Sequence, residues 1–244
     1  MTIGETVWSS GPWPFRFVPL IGTNQDIVLA ALFPDGVVFE QMDPATADIR
    51  TLHAEEAAIV VNAVESRQRE FAAGRLCARR ALARLGSPVA ALLVESDRRP
   101  RWPYGTVGSI SHTEGFCGVA ATNLAIVIGI GFDVEPRAAL PLDVWPTVLS
   151  DAEHESLHAM PDRDRGVYAR LAFSAKEAFY KCYRSTGGGW LDFHDIEIRF
   201  SAAPGEMTAK VLARKRLWNR APSVLGAFAI SSQFIFTAFT MIER

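Results

Sequence analysis

Ile126-Val-Ile-Gly-Ile-Gly-Phe-Asp133-Val134-Glu135 is an apolar, β-branched and glycine-punctuated run that ends in two acids. It reads as a strand. Side chains alternate along a strand, so Asp133 and Glu135 project to one face and Val134 to the other. Two carboxylates converging on one point repel unless something positive lies between them. A hard, oxygen-seeking cation such as Mg2+ suits that place. The competing reading is a solvated strand end carrying two exposed acids. The apolar part of this strand closes an uncharged stretch, Gly115–Phe132, and a second such stretch is Ala221–Ile242. Both are long enough to cross a bilayer. Thr122-Asn123 interrupts the first and Ser231-Ser232-Gln233 the second, so both are expected as buried hairpins, with no membrane span.

Outward from that strand the pattern is mixed. Ile27–Phe33 and Val37–Phe39 flank Pro34-Asp35-Gly36 and predict a hairpin. Apolar residues at helical spacing predict a helix over Ala54–Val64. A second is expected from about Arg69 to Leu85, closed by Gly86. Ser150 with Glu153 forms a capping box that opens another helix. A longer helix spans about Arg163 to Arg184 and stops at Gly187-Gly188-Gly189. Strands follow at Ile196–Phe200, Thr208–Ala213, Val224–Ile230 and Phe234–Thr240. A break near Thr122–Ala125 divides the chain into an N-terminal subdomain, 1–125, and a C-terminal subdomain, 126–244, carrying the acids. Each holds helices and mainly antiparallel strands, which makes the fold class α+β.

The chain has 244 residues, 25 basic and 27 acidic, with 49% hydrophobic residues. That composition excludes a disordered or collagen-like chain. Net charge near zero argues against a nucleic-acid partner, but the charge is unevenly spread. Residues 1–64 hold 2 basic and 8 acidic groups, whereas residues 65–101 hold 9 and 4. The three cysteines are few and far apart, and no charged-then-apolar leader is visible. Both features predict a reducing, cytoplasmic setting.

Three further segments carry chemistry. In Phe173-Ser174-Ala-Lys176-Glu177-Ala-Phe-Tyr180-Lys181, Glu177 and Lys181 are four apart and share a helix face. They read either as a third metal carboxylate with a phosphate-seeking lysine, or as a surface ion pair beside a Ser174–Glu177 capping box. The block at 65–101 is basic through arginine alone, the residue that pairs bidentately with phosphate. Arg67 and Arg75 lie about two turns apart, whereas Arg79, Arg80 and Arg84 are expected to solvate helix faces. Gly108-Ser109-Ile110-Ser111-His112 places small hydroxyls beside a histidine able to donate to a phosphate oxygen. A rival signal is His154-Glu155-Ser156-Leu157-His158, which matches the zinc-protease helix, with Glu177 a conceivable third ligand.

The order and spacing of these segments resemble the 4′-phosphopantetheinyl transferases of the Sfp/EntD-like group. The matching residues are Arg67–Arg79, Arg98–Pro103, Gly108–His112, Gly131–Glu135 and Phe173–Lys181, with a weaker match at Phe193–Ile198. One departure is Phe132, where the family often has isoleucine.

The resemblance implies a pseudo-twofold pair of similar α+β subdomains with the ligand cleft between them. It implies transfer of phosphopantetheine from coenzyme A to a serine of an apo carrier domain of a fatty-acid, polyketide or nonribosomal-peptide synthase. Siderophore synthesis is one such setting, and a monomer is expected. Asp133, Glu135 and Glu177 would ligate Mg2+, or Mn2+ in its place. Glu177 and Lys181 would be catalytic. Arg67, Arg75 and His112 would hold the 3′-phosphate and Arg98 or Arg99 the adenosine side, with Ser111, Asp133 and Lys181 as further ligand contacts. A non-catalytic carrier-binding module of the same fold would have lost these acids and the lysine, and this chain keeps them.

Overall fold

The structure is a computed structural model that describes residues 29–88, 90–201, 204–212 and 223–243. The first element is not the expected hairpin. Leu29, Leu32 and Phe33 recur at helical rather than strand spacing and are all buried. They sit on a helical turn, with Leu32 N donating to Leu29 O at 3.2 Å. The chain then turns through Gly36, at φ +88°, into strand β1 (Val38–Met42). Ile27 and Val28 lie outside the described residues.

Helix α1 (Ala54–Val60) stops four residues before the periodic pattern does. Val61 and Val64 are left exposed, and Val64 caps helix α2 (Glu65–Arg84), which starts four residues earlier than predicted. Gly86, at φ +65°, follows its end as a C-terminal cap. Strands β2 (Val107–Thr113) and β3 (Phe116–Thr122) form a tight antiparallel hairpin, and β1 pairs with the far side of β3.

Strand β4 (Val127–Pro136) opens the second half. A short helix α3 (Trp145–Val148), α4 (Asp151–His158) and α5 (Asp162–Ser185) follow. Then come β5 (Ile196–Phe200), β6 (Glu206–Val211), β7 (Ser223–Ile230) and β8 (Phe234–Ile242). Ser150 and Glu153 make the predicted capping box of α4. Ala213, the last residue of one predicted strand, lies outside the described residues.

The strands form two sheets, ordered β1-β3-β2 and β4-β8-β7-β6-β5. The uncharged run 115–132 is therefore not a hairpin, because β3 and β4 belong to different sheets. The second run does fold back on itself as β7 and β8, turning at Ser231–Gln233. Among the described residues no helix is long and apolar enough to cross a membrane. Both halves follow one plan. An opening strand leads into helices, and an antiparallel meander returns its last strand beside the first (β3 beside β1, β8 beside β4). A long helix, α2 or α5, packs on each sheet. This repetition is the α+β pairing read from the sequence.

Two details of β4 position the site. Ile130, Phe132 and Val134 face one way into the core and pack with Leu29, Phe33, Phe116 and Phe236. Gly129, Gly131, Asp133 and Glu135 have the opposite parity. A Cβ on Gly131 would lie 1.8 Å from Ala178 O, and one on Gly129 2.6 Å from Cys182 O. The bare strand thus lets α5 rest directly on it, which lays the helix beside Asp133. The sheets meet where β2 runs along β4 in the same direction. Serine hydroxyls bridge this seam: Phe132 N donates to Ser109 Oγ at 3.0 Å and Val134 N to Ser111 Oγ at 3.3 Å.

Candidate active site

Asp133 is buried at the junction of β2, β4 and α5. Its Oδ1 accepts from Ser111 Oγ at 2.8 Å and from Lys181 Nζ at 2.7 Å. Its Oδ2 accepts from Ser174 Oγ at 2.8 Å. Ser174 is therefore not a helix cap: it lies mid-helix in α5, about two turns before Lys181, and the two side chains grip one carboxylate. Lys181 also donates to Ser111 Oγ and to the Phe132 carbonyl, at 3.1 and 3.2 Å.

Glu177 shares the helix face with Lys181, but Lys181 pairs with Asp133 instead. Among the described residues Glu177 makes no ion pair or hydrogen bond. Burial raises its pKa, opposed by Lys181 and reinforced by Asp133 and Glu135. The Glu135 pKa is likewise raised, first by burial and then by Asp133. Arg170 restrains Glu135, donating to its Oε2 at 2.8 Å while also binding the carbonyls of Ala138 and Ala139 at 3.0 Å. Nothing in the local sequence marks Arg170, which comes to Glu135 from 35 residues away.

Beside this acidic group lies a basic one. His112 follows Ser111 on β2 and contacts the start of α2. Arg67 Nη1 lies 2.6 Å from His112 Nε2 and 3.0 Å from Glu70 Oε2. An arginine nitrogen only donates, so Nε2 accepts and the ring proton belongs on Nδ1, which faces Glu70 Oε2 at 3.4 Å. Arg75 is 4% exposed, and among the described residues its Nε has no hydrogen-bond partner. Its guanidinium stacks over Phe71 at 4.0 Å. Burial holds its pKa down at about 10, against the pull of Glu56. A buried cation without an anion is costly unless a ligand supplies one.

The other arginines divide. Arg79 does not solvate its helix face: it pairs at 2.8 Å with Glu56, which is wholly buried. Glu56 also receives the amide of Leu92. Arg84 pairs with Glu40. Arg99 binds Asp97 at 2.7 Å and the Arg184 carbonyl at 2.6 Å. Arg184 returns to Asp97, so this cluster ties the loop before β2 to the end of α5. Arg98 is exposed, at φ 68°, on that loop. Arg98 and Arg99 are thus neighbours in the chain but differently placed.

Three motif residues, Lys176, His154 and His158, have other neighbours. Lys176 is fully buried and bonds Glu153 at 2.7 Å, along with the carbonyls of Val148 and Phe193. His154 and His158 lie together on α4 with ring centroids 4.5 Å apart. The charged neighbours of Glu177 are Lys181, Asp133 and Glu135, so it is not a third ligand to those histidines. Among the described residues no three His, Cys, Asp or Glu side chains stand together closely enough to enclose a metal ion.

Two family models match the chain: the 4′-phosphopantetheinyl transferase N-terminal domain at residues 55–122 and the 4′-phosphopantetheinyl transferase superfamily at 129–230. This chain belongs to the 4′-phosphopantetheinyl transferases. It is 39% identical over 188 residues to the 4′-phosphopantetheinyl transferase Svp of Streptomyces mobaraensis, covering 76% of each chain. It is 35% identical over 195 residues to PptT of Mycobacterium tuberculosis, covering 80% of this chain and 85% of that one. It is 35% identical over 164 residues to enterobactin synthase component D of Escherichia coli O157:H7, covering 65% and 76%. The chain is thus an enzyme of the kind that moves phosphopantetheine from coenzyme A to carrier proteins. That membership displaces both the zinc-protease and the non-catalytic readings.

Proposed function

We propose that this transferase works with Mg2+ on a serine of an apo carrier domain and releases adenosine 3′,5′-bisphosphate. Support comes above all from Ser111 and His112. These adjacent residues face opposite ways on β2, so one strand end joins the Asp133–Lys181 group to the Arg67–Arg75 group. Coenzyme A carries a pyrophosphate and a separate 3′-phosphate, and the two groups of side chains offer a place for each. The ligand would lie between the halves 1–125 and 126–244, with Arg98 free to approach the adenosine.

The carboxylates suit an open Mg2+ site of few protein oxygens, completed by water and substrate phosphate. The observation favouring this is Glu177, a partly buried carboxylate without a partner among the described residues, on which the charges of Asp133 and Glu135 act. Asp133, Glu135 and Glu177 do not enclose an ion as they stand; they would have to draw together to hold it, and when bound it would supply neutralising charge to the pyrophosphate. Mn2+ is an alternative occupant.

In the reaction the carrier serine oxygen bonds to the β-phosphorus of coenzyme A. The bond from that phosphorus to the bridging oxygen breaks, and the bridging oxygen leaves on adenosine 3′,5′-bisphosphate. Glu177 takes the serine proton, directly or through a water. Lys181, freed from Asp133, stabilises charge building on the bridging oxygen. Arg75, Arg67 and His112 bind the 3′-phosphate.

The carrier would be a domain of a fatty-acid, polyketide or nonribosomal-peptide synthase, and the likeness to enterobactin synthase component D favours siderophore assembly. Three buried, unbridged cysteines support a cytoplasmic setting, and one chain holding both halves supports a monomer. Incubating the protein with coenzyme A, Mg2+ and apo carriers, then weighing the carriers, tests the reading. A phosphopantetheine-sized gain that needs the metal is expected. No gain on any of several carriers would overturn it.

A further inference from the structure

A carboxylate inside a phosphate site is out of place electrostatically, yet Glu70 sits between Arg67 and His112. Arg67 Nη1 reaches Glu70 Oε2 at 3.0 Å and His112 Nε2 at 2.6 Å, and His112 Nδ1 faces Glu70 Oε2 at 3.4 Å. The three side chains close a triangle at the start of α2. We propose that Glu70 is a positioning residue for the 3′-phosphate: it holds Arg67 in the free enzyme and, when the phosphate arrives, holds the Nδ1 proton of a His112 that gains a second proton at Nε2. The proposal rests on the reading that Arg67, Arg75 and His112 form the 3′-phosphate subsite.

The argument is one of charge. In the free state Arg67 is balanced by Glu70, and the ring stays neutral because an arginine donates to Nε2. The charges that reach His112 are Glu70 and Arg67 on α2, which contact it, and Lys181 on α5 and Asp133 on β4, which act through space; across the ladder on β3 lies Cys117. Burial lowers the His112 pKa; Arg67 and Lys181 oppose protonation, and Glu70 and Asp133 favour it. An incoming phosphate draws Arg67 and Arg75 and takes over Nε2 as an acceptor. Phosphate and Glu70 would then repel across the ring unless a proton joins Nε2. The imidazolium so formed bridges them, Nε2–H to phosphate and Nδ1–H to carboxylate. The proton comes from solvent. Glu70 thereby couples binding to proton uptake only for a ligand that carries the 3′-phosphate.

The test is binding calorimetry at about pH 7.5 in two buffers of different ionisation enthalpy, with adenosine 3′,5′-bisphosphate as probe and adenosine 5′-monophosphate as control. The wild type should take up between about 0.5 and 1 proton with the bisphosphate and close to none with the monophosphate. E70Q should take up less than half the wild-type value and lose about tenfold in affinity for the bisphosphate alone. E70D, which keeps the charge, should restore most of the uptake. Wild-type uptake in a folded E70Q, or no recovery in a folded E70D, overturns the proposal. H112A separates this from the reading beneath it. If H112A keeps both the uptake and the preference for bisphosphate over monophosphate, the 3′-phosphate subsite itself is misplaced.

Discussion

Substituting Gly131 with alanine tests the claim that a bare strand face builds the active site. The new Cβ would lie 1.8 Å from Ala178 O, 2.6 Å from Cys182 N and 2.8 Å from Ala178 C. All three are backbone atoms of α5, so no side chain can swing away. Ordinary contact begins near 3.4 Å, so the helix must withdraw by about 1.6 Å or the strand must buckle by as much. The bonds that meet at Asp133 are 2.7 Å from Lys181 and 2.8 Å from Ser174. A withdrawal of that size takes both past hydrogen-bond reach. Overpacking of this kind costs about 3 kcal/mol, which for a chain of this length lowers the melting midpoint by roughly 6–12 °C. Turnover should fall at least ~100-fold, since misplacement by about 1 Å costs that much. Gly189 is the matched control, because nothing lies within 4 Å of its Cβ position. Thermal unfolding followed by circular dichroism, with turnover measured on the same samples, gives the answer. If G131A melts with the wild type and keeps its turnover, α5 does not owe its place to the glycine face.

Other substitutions probe the remaining joints. K181A should reduce turnover by about 10²-fold or more while coenzyme A affinity changes only a few-fold; equal losses in both would contradict a role in the reaction step. R170A frees Glu135 and should raise the Mg2+ concentration needed for half-maximal activity about tenfold, so an unchanged metal titration would remove Arg170 from the site's support. K176M leaves Glu153 without its counter-charge in the interior and should destabilise the fold by about 3 kcal/mol, as read by denaturant unfolding. A wild-type midpoint for that variant would mean that the buried pair contributes nothing.

What the sequence made legible was local and periodic. Alternation put Asp133 and Glu135 on one face, and the same parity includes Gly129 and Gly131, although that reading requires knowing that a helix lies there. The capping box at Ser150 and the glycine stop of α2 needed only neighbouring residues. Long-range partners were not legible. Arg79 reads as a solvated residue until Glu56 arrives from a different helix, 23 positions earlier. Lys176 reads as surface charge, since lysines are rarely buried, yet three oxygens from separate segments enclose its ammonium. Ser174 fits a capping pattern by type and spacing, although the predicted helix already put it mid-helix; what the sequence did not show was its bond to Asp133, 41 positions earlier. The hairpin expected at 27–40 failed for a related reason: apolar residues around a turn do not reveal which strand becomes the partner.

The arginine block shows how pairing, rather than composition, sets the character of a site. Six of its nine arginines are tied to carboxylates, at Glu70, Glu65, Glu56, Glu40, Asp97 and Glu95. Those pairs hold helices and loops, and their fields largely cancel at a distance. Arg75 is different: it is buried, stacked on an aromatic ring and left with an unsatisfied Nε. Glu177 is its acidic counterpart, partly buried and without a partner among the described residues. Each carries a desolvation cost that a neutral replacement would avoid. Neither is among the charges that act on the other, so they do not neutralise one another. A ligand that brings anionic phosphate to one side, and a cation to the other, relieves both costs and so binds the folded state alone. By linkage, that ligand stabilises the fold in proportion to the logarithm of its concentration over its dissociation constant. On the proposed function, the same two groups would select by charge a substrate that brings phosphate to one and a metal-bound pyrophosphate to the other.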